Sequence, residues 1–207
     1  MIIGITGGPG SGKSTVLRYF RDSGYAVASA DSFVHGLLKA DEKVKGRIRE
    51  CFGRSFFNAD GTVNRRKLAA AVFSSRSRRI KLESIVHPPV IEALAEIISI
   101  AREKKRGLAV EIPLLYEKKL RSMVDRAVVV YSGEAMMKNR LMKKFRITEK
   151  EALGRIRAQL PIDRKKKLAD YVILNDNNGR EGRAFLRKQV REILCDRPGL
   201  HDGRKAR

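Results

Sequence analysis

Short unbroken apolar runs alternate with helically spaced apolar positions along this chain, and that alternation sets the expected architecture. Residues 2–6 are an apolar run that ends in a glycine cluster. From Lys13 to Asp22, Val16, Leu17 and Phe20 recur at the spacing of an inward helix face, so the chain opens strand, loop, helix. Gly24 ends that helix, and residues 25–30 form a second short strand that stops at Asp31. Branched apolar residues crowd 108–112 and 127–131, as expected for strands buried on both faces of a parallel sheet, and 171–174 adds a fifth. Helical spacing marks 134–144, 149–159 and 181–194. Strands alternating with helices predict a parallel α/β fold of about five strands.

Between Asp31 and Arg106 the pattern is helical throughout, interrupted at Gly53 and at an Asp60-Gly61 turn, so this stretch reads as a helical insertion. Its last part, residues 76–106, is long and amphipathic. Pro88 and Pro89 are expected to kink or break it, because each removes a helix donor and crowds the preceding turn.

The glycine cluster carries the first chemistry. Gly7-Gly8-Pro9-Gly10-Ser11-Gly12-Lys13-Ser14 fits G-x-x-x-x-G-K-[ST] without a mismatch, between a predicted strand and a predicted helix. Glycines let the backbone approach phosphates and aim N–H groups at them, and the helix N-terminus adds partial positive charge. Lys13 reaches the β- and γ-phosphates and the Ser14 hydroxyl ligates magnesium, with Thr15 closing the loop; Pro9 has no N–H to give. The loop predicts binding of a nucleoside triphosphate with magnesium and transfer of its terminal phosphoryl group.

Composition adds a net charge of +22, which implies polyanionic partners, either nucleic acid or phosphorylated small molecules. The excess is uneven. Over residues 138–167 twelve lysines and arginines stand against three acids, Glu149, Glu151 and Asp163. Only 6% of residues are aromatic and none is tryptophan, which disfavours a nucleic-acid-dependent ATPase with a base-stacking platform. The longest uncharged apolar runs fall far short of a membrane span, and Met1 leads straight into the first strand, so a cytoplasmic, membrane-free protein is expected. Cys51 and Cys195 match neither a metal spacing nor a redox pair and read as free, buried thiols. The polar tail after residue 195 reads as frayed.

Four further positions carry two readings each. Asp31, at the carboxyl edge of the sheet, suits a general base toward an acceptor hydroxyl or an N-cap for the next helix. Glu111, in the third strand, suits a place near magnesium or a buried ion pair. His87 suits an acceptor phosphate or a helix end before proline. Arg140, Lys143, Lys144 and Arg146 suit cations over a transferring phosphoryl group or a solvated basic face.

Taken together the motifs resemble the dephospho-coenzyme A kinase family of P-loop proteins. The resemblance spans nearly the whole chain: I-G-I-T-G-G-P-G-S-G-K-S at the start, A-D at 30 and 31, D-G-T-V-N-R-R-K-L, L-E-S-I-V-H-P from 82, E-I-P-L-L-Y-E from 111, R-I-R-A-Q from 155 and K-L-A-D-Y-V-I-L-N from 167. It implies transfer of the ATP γ-phosphoryl to the ribose 3'-hydroxyl of dephospho-CoA. Residues 8–15 (Gly8, Pro9, Gly10, Ser11, Gly12, Lys13, Ser14 and Thr15) would hold ATP, and Ser14 the Mg2+. Asp31 would take the proton, Lys13 and Arg140 would serve catalysis, and Arg65, His87, Pro88, Glu111 and Leu114 would meet the acceptor. The implied organisation is a nucleotide-binding core (1–31, 107–137, 160–195), an acceptor-binding region (32–106), a lid (138–159) and a tail (196–207), as a monomer or weak homo-oligomer. Against the family pattern, Ser29 replaces an acid, His35 and Ile91 replace arginines, Glu111 replaces an aspartate, and a methionine at 136 or 137 replaces a glutamine. A kinase for another nucleoside-like acceptor would share the loop and lid, and a non-catalytic nucleotide-binding module would need Asp31 to be dispensable.

Overall fold

A computed structural model describes residues 1–177 and 179–196. Strand β1 (Ile2–Gly7) is buried along its whole length and is followed, across the glycine loop, by α1 (Lys13–Asp22). Gly24, at φ 91°, reverses the chain after α1 into β2 (Ala26–Ser29). Three helices follow: α2 (Ala30–Ala40), α3 (Glu42–Phe52) and α4 (Arg65–Phe73). Asp41 accepts from the Val44 N–H at 2.9 Å and Asn64 from the Lys67 N–H at 3.0 Å, so α3 and α4 each begin on a side-chain cap, a contact of about 1 kcal/mol. Helix α5 (Arg76–Glu103) leads back to β3 (Leu108–Glu111) and then β4 (Arg126–Tyr131). The rest is α6 (Glu134–Phe145), α7 (Glu149–Arg157), opened by a Thr148–Glu151 capping box, α8 (Ile162–Lys167), β5 (Tyr171–Leu174) and α9 (Gly179–Cys195).

All five strands are parallel in the order β2-β3-β1-β4-β5. Period-two alternation sends Ile3 and Ile5 to the face covered by α1 and α9, and Ile2 to the face covered by α5. The insertion owns a third cluster, built from Leu38, Val44, Ile48, Val63, Leu68, Val72, Ile85 and Val86. The connection from β1 runs to β2 on one side and that from β3 to β4 on the other, and the carboxyl edge at this reversal is where ligands of open α/β sheets sit.

Three sequence expectations change. Helix α5 runs unbroken through Pro88 and Pro89. Its first half buries Ile85 and Val86 in the insertion's core and its second half buries Val90, Leu94, Ile98 and Ala101 against the sheet. At about 1.5–3 kcal/mol per large buried side chain, that burial exceeds the roughly 3 kcal/mol each internal proline costs. The cysteines are free, but Cys195 is exposed and Cys51 only half-buried. Asp31 neither ends β2 nor caps α2: Ser29 occupies the N-cap and Asp31 lies in the first turn. Among the described residues α5 is long and apolar enough to cross a membrane, yet its apolar stripe lies in the two protein cores. Apart from Asp196, the tail lies outside the described residues.

Candidate active site

Strand register brings the chemistry to one edge. Glu111 pairs with Ile5 on one side and with Ser29 on the other. Two residues further on, Gly7 ends β1 and Asp31 lies in the first turn of α2, just past the level where Glu111 ends β3. A cleft of about 750 Å³ opens there, lined by Pro9, Gly10, Gly12, Lys13, Ser14 and Thr15 on the loop side.

The loop is shaped by backbone geometry. Gly10 and Gly12 take φ 78° and 95°, where any side chain would be strained. A Cβ on Gly10 would also lie 2.7 Å from the Met137 carbonyl oxygen. Two side chains hold the loop from beneath: the Lys13 ammonium donates to the Gly8 carbonyl at 3.0 Å, and the buried Asn175 amide donates to the Ser11 carbonyl at 2.6 Å. Met137 is buried under Gly8.

Facing Lys13 are two carboxylates. Glu111 is buried, and burial raises its carboxyl above the usual range; the Lys13 charge works against that and the Asp31 charge with it. Lys13 is lowered by its own burial, while Glu111 and Asp31 pull it back up. Among the described residues no cation lies within 4.0 Å of the Glu111 carboxylate, and the Lys13 charge acts on it from further off. Asp31 stays exposed on the cleft wall.

Arg140, Leu141, Lys144 and Phe145 from α6 and Arg155 from α7 also line the cleft. Arg140 donates to the Ser132 hydroxyl at 3.3 Å, and Ser132 in turn donates to Asp176 at 2.9 Å, so the turn after β4 and the segment after β5 jointly orient the arginine. Of the four cations proposed on this helix, Arg140 and Lys144 reach the cleft; Lys143 and Arg146 are not on its wall.

Asp31 at the start of α2 and Val34, Arg79, Glu83, His87 and Ile91 from the insertion line the cleft too, joined by Leu114 and Lys118 from the turn after β3. His87 is half-buried, and burial first and the Lys118 charge second lower its basicity while Glu83 opposes them. Pro88 and Arg65 are exposed and off the cleft wall, Arg65 at the first turn of α4. Gly8 and Ser11 lie buried beneath the loop.

Sequence reasoning missed Asn175, Arg79, Glu83 and Lys118. Asn175 ends the K-L-A-D-Y-V-I-L-N segment, so a signal existed without a role. A buried strut was also missed. Fully buried Lys165 pairs with Glu117 at 2.9 Å and donates to the Pro113 carbonyl at 2.8 Å and Gln159 at 3.1 Å. It lay inside a run of four basic residues that reads as a solvated face.

Comparison with known proteins agrees with this geometry. The dephospho-CoA kinase family model matches residues 1–181. A dephospho-CoA kinase from Geobacillus kaustophilus is 40% identical over 195 residues, covering 94% of this chain and 95% of the relative. One from Carboxydothermus hydrogenoformans is 39% identical over 179 residues, covering 86% of each. A crystal structure of a Thermus thermophilus protein superposes with a TM-score of 0.74 at 33% identity, covering 96% of this chain and 98% of that one. With the loop, the paired acids and the helical insertion in one cleft, and with relatives this similar along nearly their full length, the chain belongs to the dephospho-CoA kinase family.

Proposed function

We propose that the chain transfers the γ-phosphoryl group of ATP to the ribose 3'-hydroxyl of dephospho-CoA, giving CoA and ADP. The observation that carries this is one cleft in which the phosphate loop, Asp31 and the helical insertion face each other. The family supplies the acceptor, and the cleft supplies the chemistry.

In this reading the loop N–H groups and Lys13 hold the β- and γ-phosphates, and Arg140 neutralises charge on the transferring group. Asp31, exposed at the wall and two residues beyond the sheet register, accepts the hydroxyl proton as the acceptor oxygen attacks phosphorus. The oxygen donors fit a magnesium ion. Ser14 fronts the cleft, and Glu111 is a buried carboxylate with no cation within 4.0 Å, a cost that a divalent charge relieves. When bound, magnesium neutralises the β- and γ-phosphate oxygens. Residues 138–159 act as a lid, residues 32–106 bind the acceptor, and the remaining segments hold the nucleotide. The chain works in the cytoplasm in this reading, with the apolar stripe of α5 serving the protein cores and not a membrane.

The test is a coupled assay of ADP release with magnesium, ATP and either dephospho-CoA or adenosine. Turnover at least tenfold more efficient on dephospho-CoA is expected. Preference for adenosine or a mononucleotide would reassign the acceptor, and turnover that needs DNA or RNA and falls steeply with salt would replace the reading with a nucleic-acid-dependent ATPase.

A further inference from the structure

The cleft is lined by cations of the loop and α6 and also by Arg79 and Lys118. The charges acting on Lys13 are those of Glu111, Asp31, Lys165 and Lys144, whereas those acting on His87 are Lys118 and Glu83. Lys118 lies 3.2 Å from one oxygen of Glu83 and Arg79 lies 3.9 Å from the other, with side chains about one-third exposed. Neither cation has another carboxylate within 4.0 Å among the described residues. Two cations thus share one anion, and His87 stands beside them on the same wall as the apolar Val90, Ile91 and Leu120.

This arrangement is net positive, about two-thirds buried and open to the cleft. Resting on the dephospho-CoA reading, we infer that Arg79 and Lys118 form a second phosphate subsite, which takes the diphosphate bridge of the acceptor in exchange for their shared contact with Glu83. The chemical class recognised is a nucleoside 5'-diphosphate ester. Arg79 offers the N–H groups of a planar fork and Lys118 a point charge, the complement expected for two adjacent phosphates. The subsite also explains how an acceptor larger than a nucleoside is selected: adenosine presents the same 3'-hydroxyl to Asp31 but brings nothing to Arg79 and Lys118.

The test reads acceptor binding directly. Full-length protein is saturated with magnesium and a non-hydrolysable ATP analogue, and calorimetry measures the affinity of dephospho-CoA and of adenosine for the unaltered protein and for Arg79→Met, Lys118→Met and Glu83→Gln. Each cation removal should weaken dephospho-CoA about ten- to a hundredfold and leave adenosine within about twofold. Glu83→Gln, which frees both cations, should hold or tighten dephospho-CoA binding, whereas a purely structural triad would lose stability and affinity for both ligands. Equal losses on dephospho-CoA and adenosine, or no loss on either, overturns the subsite. Tight, diphosphate-dependent binding of dephospho-CoA without turnover would instead overturn the proposed reaction and keep the subsite.

Discussion

The phosphate loop and the helical insertion face each other across one cleft, yet they build its walls by different means. The loop does so with backbone: Gly10 and Gly12 at positive φ aim peptide N–H groups, and Asn175 and Lys13 hold the loop carbonyls from below. The insertion does so with side chains carried on helices, Arg79, Glu83 and His87 on α5 and Asp31 on α2, and its shape depends on a small core of its own. Backbone recognition needs particular residues at fixed spacing along the chain, so it tolerates little change and leaves a motif. Side-chain recognition needs only that helices of suitable pattern pack together. Helix α5 joins the two, with one half in each core, so damage to the insertion reaches the cleft through it.

This contrast can be broken at several points. The largest effect is expected for Lys13→Ala, which removes the loop's cation and its tie to Gly8; kcat/KM should fall by about 10³-fold or more, and ATP affinity should fall with it in a nucleotide-binding titration. Unchanged nucleotide affinity would deny Lys13 its phosphate role. Asp31→Asn should lower kcat about 10²-fold while calorimetry shows ATP binding unchanged, because Asp31 belongs to the acceptor side; near-normal turnover would reduce it to a first-turn helix residue.

Damage to the insertion's core should separate the two sides. Ile48 is fully buried, and Ile48→Ala should cost about 2–5 kcal/mol of stability. That corresponds to a melting temperature lower by roughly 4–20 °C for a chain of this size, with KM for dephospho-CoA rising more than KM for ATP. A parallel rise in both would mean the insertion and the loop share one cooperative unit.

The smallest effect concerns Glu111. Burial raises its carboxyl in the folded state, so the folded protein binds this proton more readily than the unfolded chain does. Stability from this group is therefore lost as pH climbs from the unfolded value through the raised folded one. Glu111→Gln should melt higher than the parent at pH 8, with the difference vanishing toward pH 4, and should lower turnover. Equal melting at both pH values would show that Glu111 carries no uncompensated charge.

Much of the sheet was legible because β1, β4 and β5 are short runs rich in branched apolar residues. Residues 171–174 were read as a strand and are one. Proline grammar misled at α5, since local rules count the lost hydrogen bonds and not the six buried side chains that hold the helix through them. Asp31 was placed one element too early because Ser29 takes the N-cap and Ala30 already belongs to the helix. Within the family, Ser29 and Ile91 stand where the usual pattern has an acid and an arginine, and both line the cleft.

The sequence alone determined the strand, loop and helix that bind phosphate, because that site is made by consecutive residues and its geometry is a property of glycine, lysine and a helix N-terminus. It also placed Asp31 and Glu111 near strand ends. Only the tertiary structure decided which cations matter. Lys165, deep in a basic run, is buried in a strut with Glu117, and Arg79 and Lys118, 39 positions apart, meet over Glu83. Charge at a position can be read from a sequence, but what that charge faces depends on how α5 and the turn after β3 pack against each other.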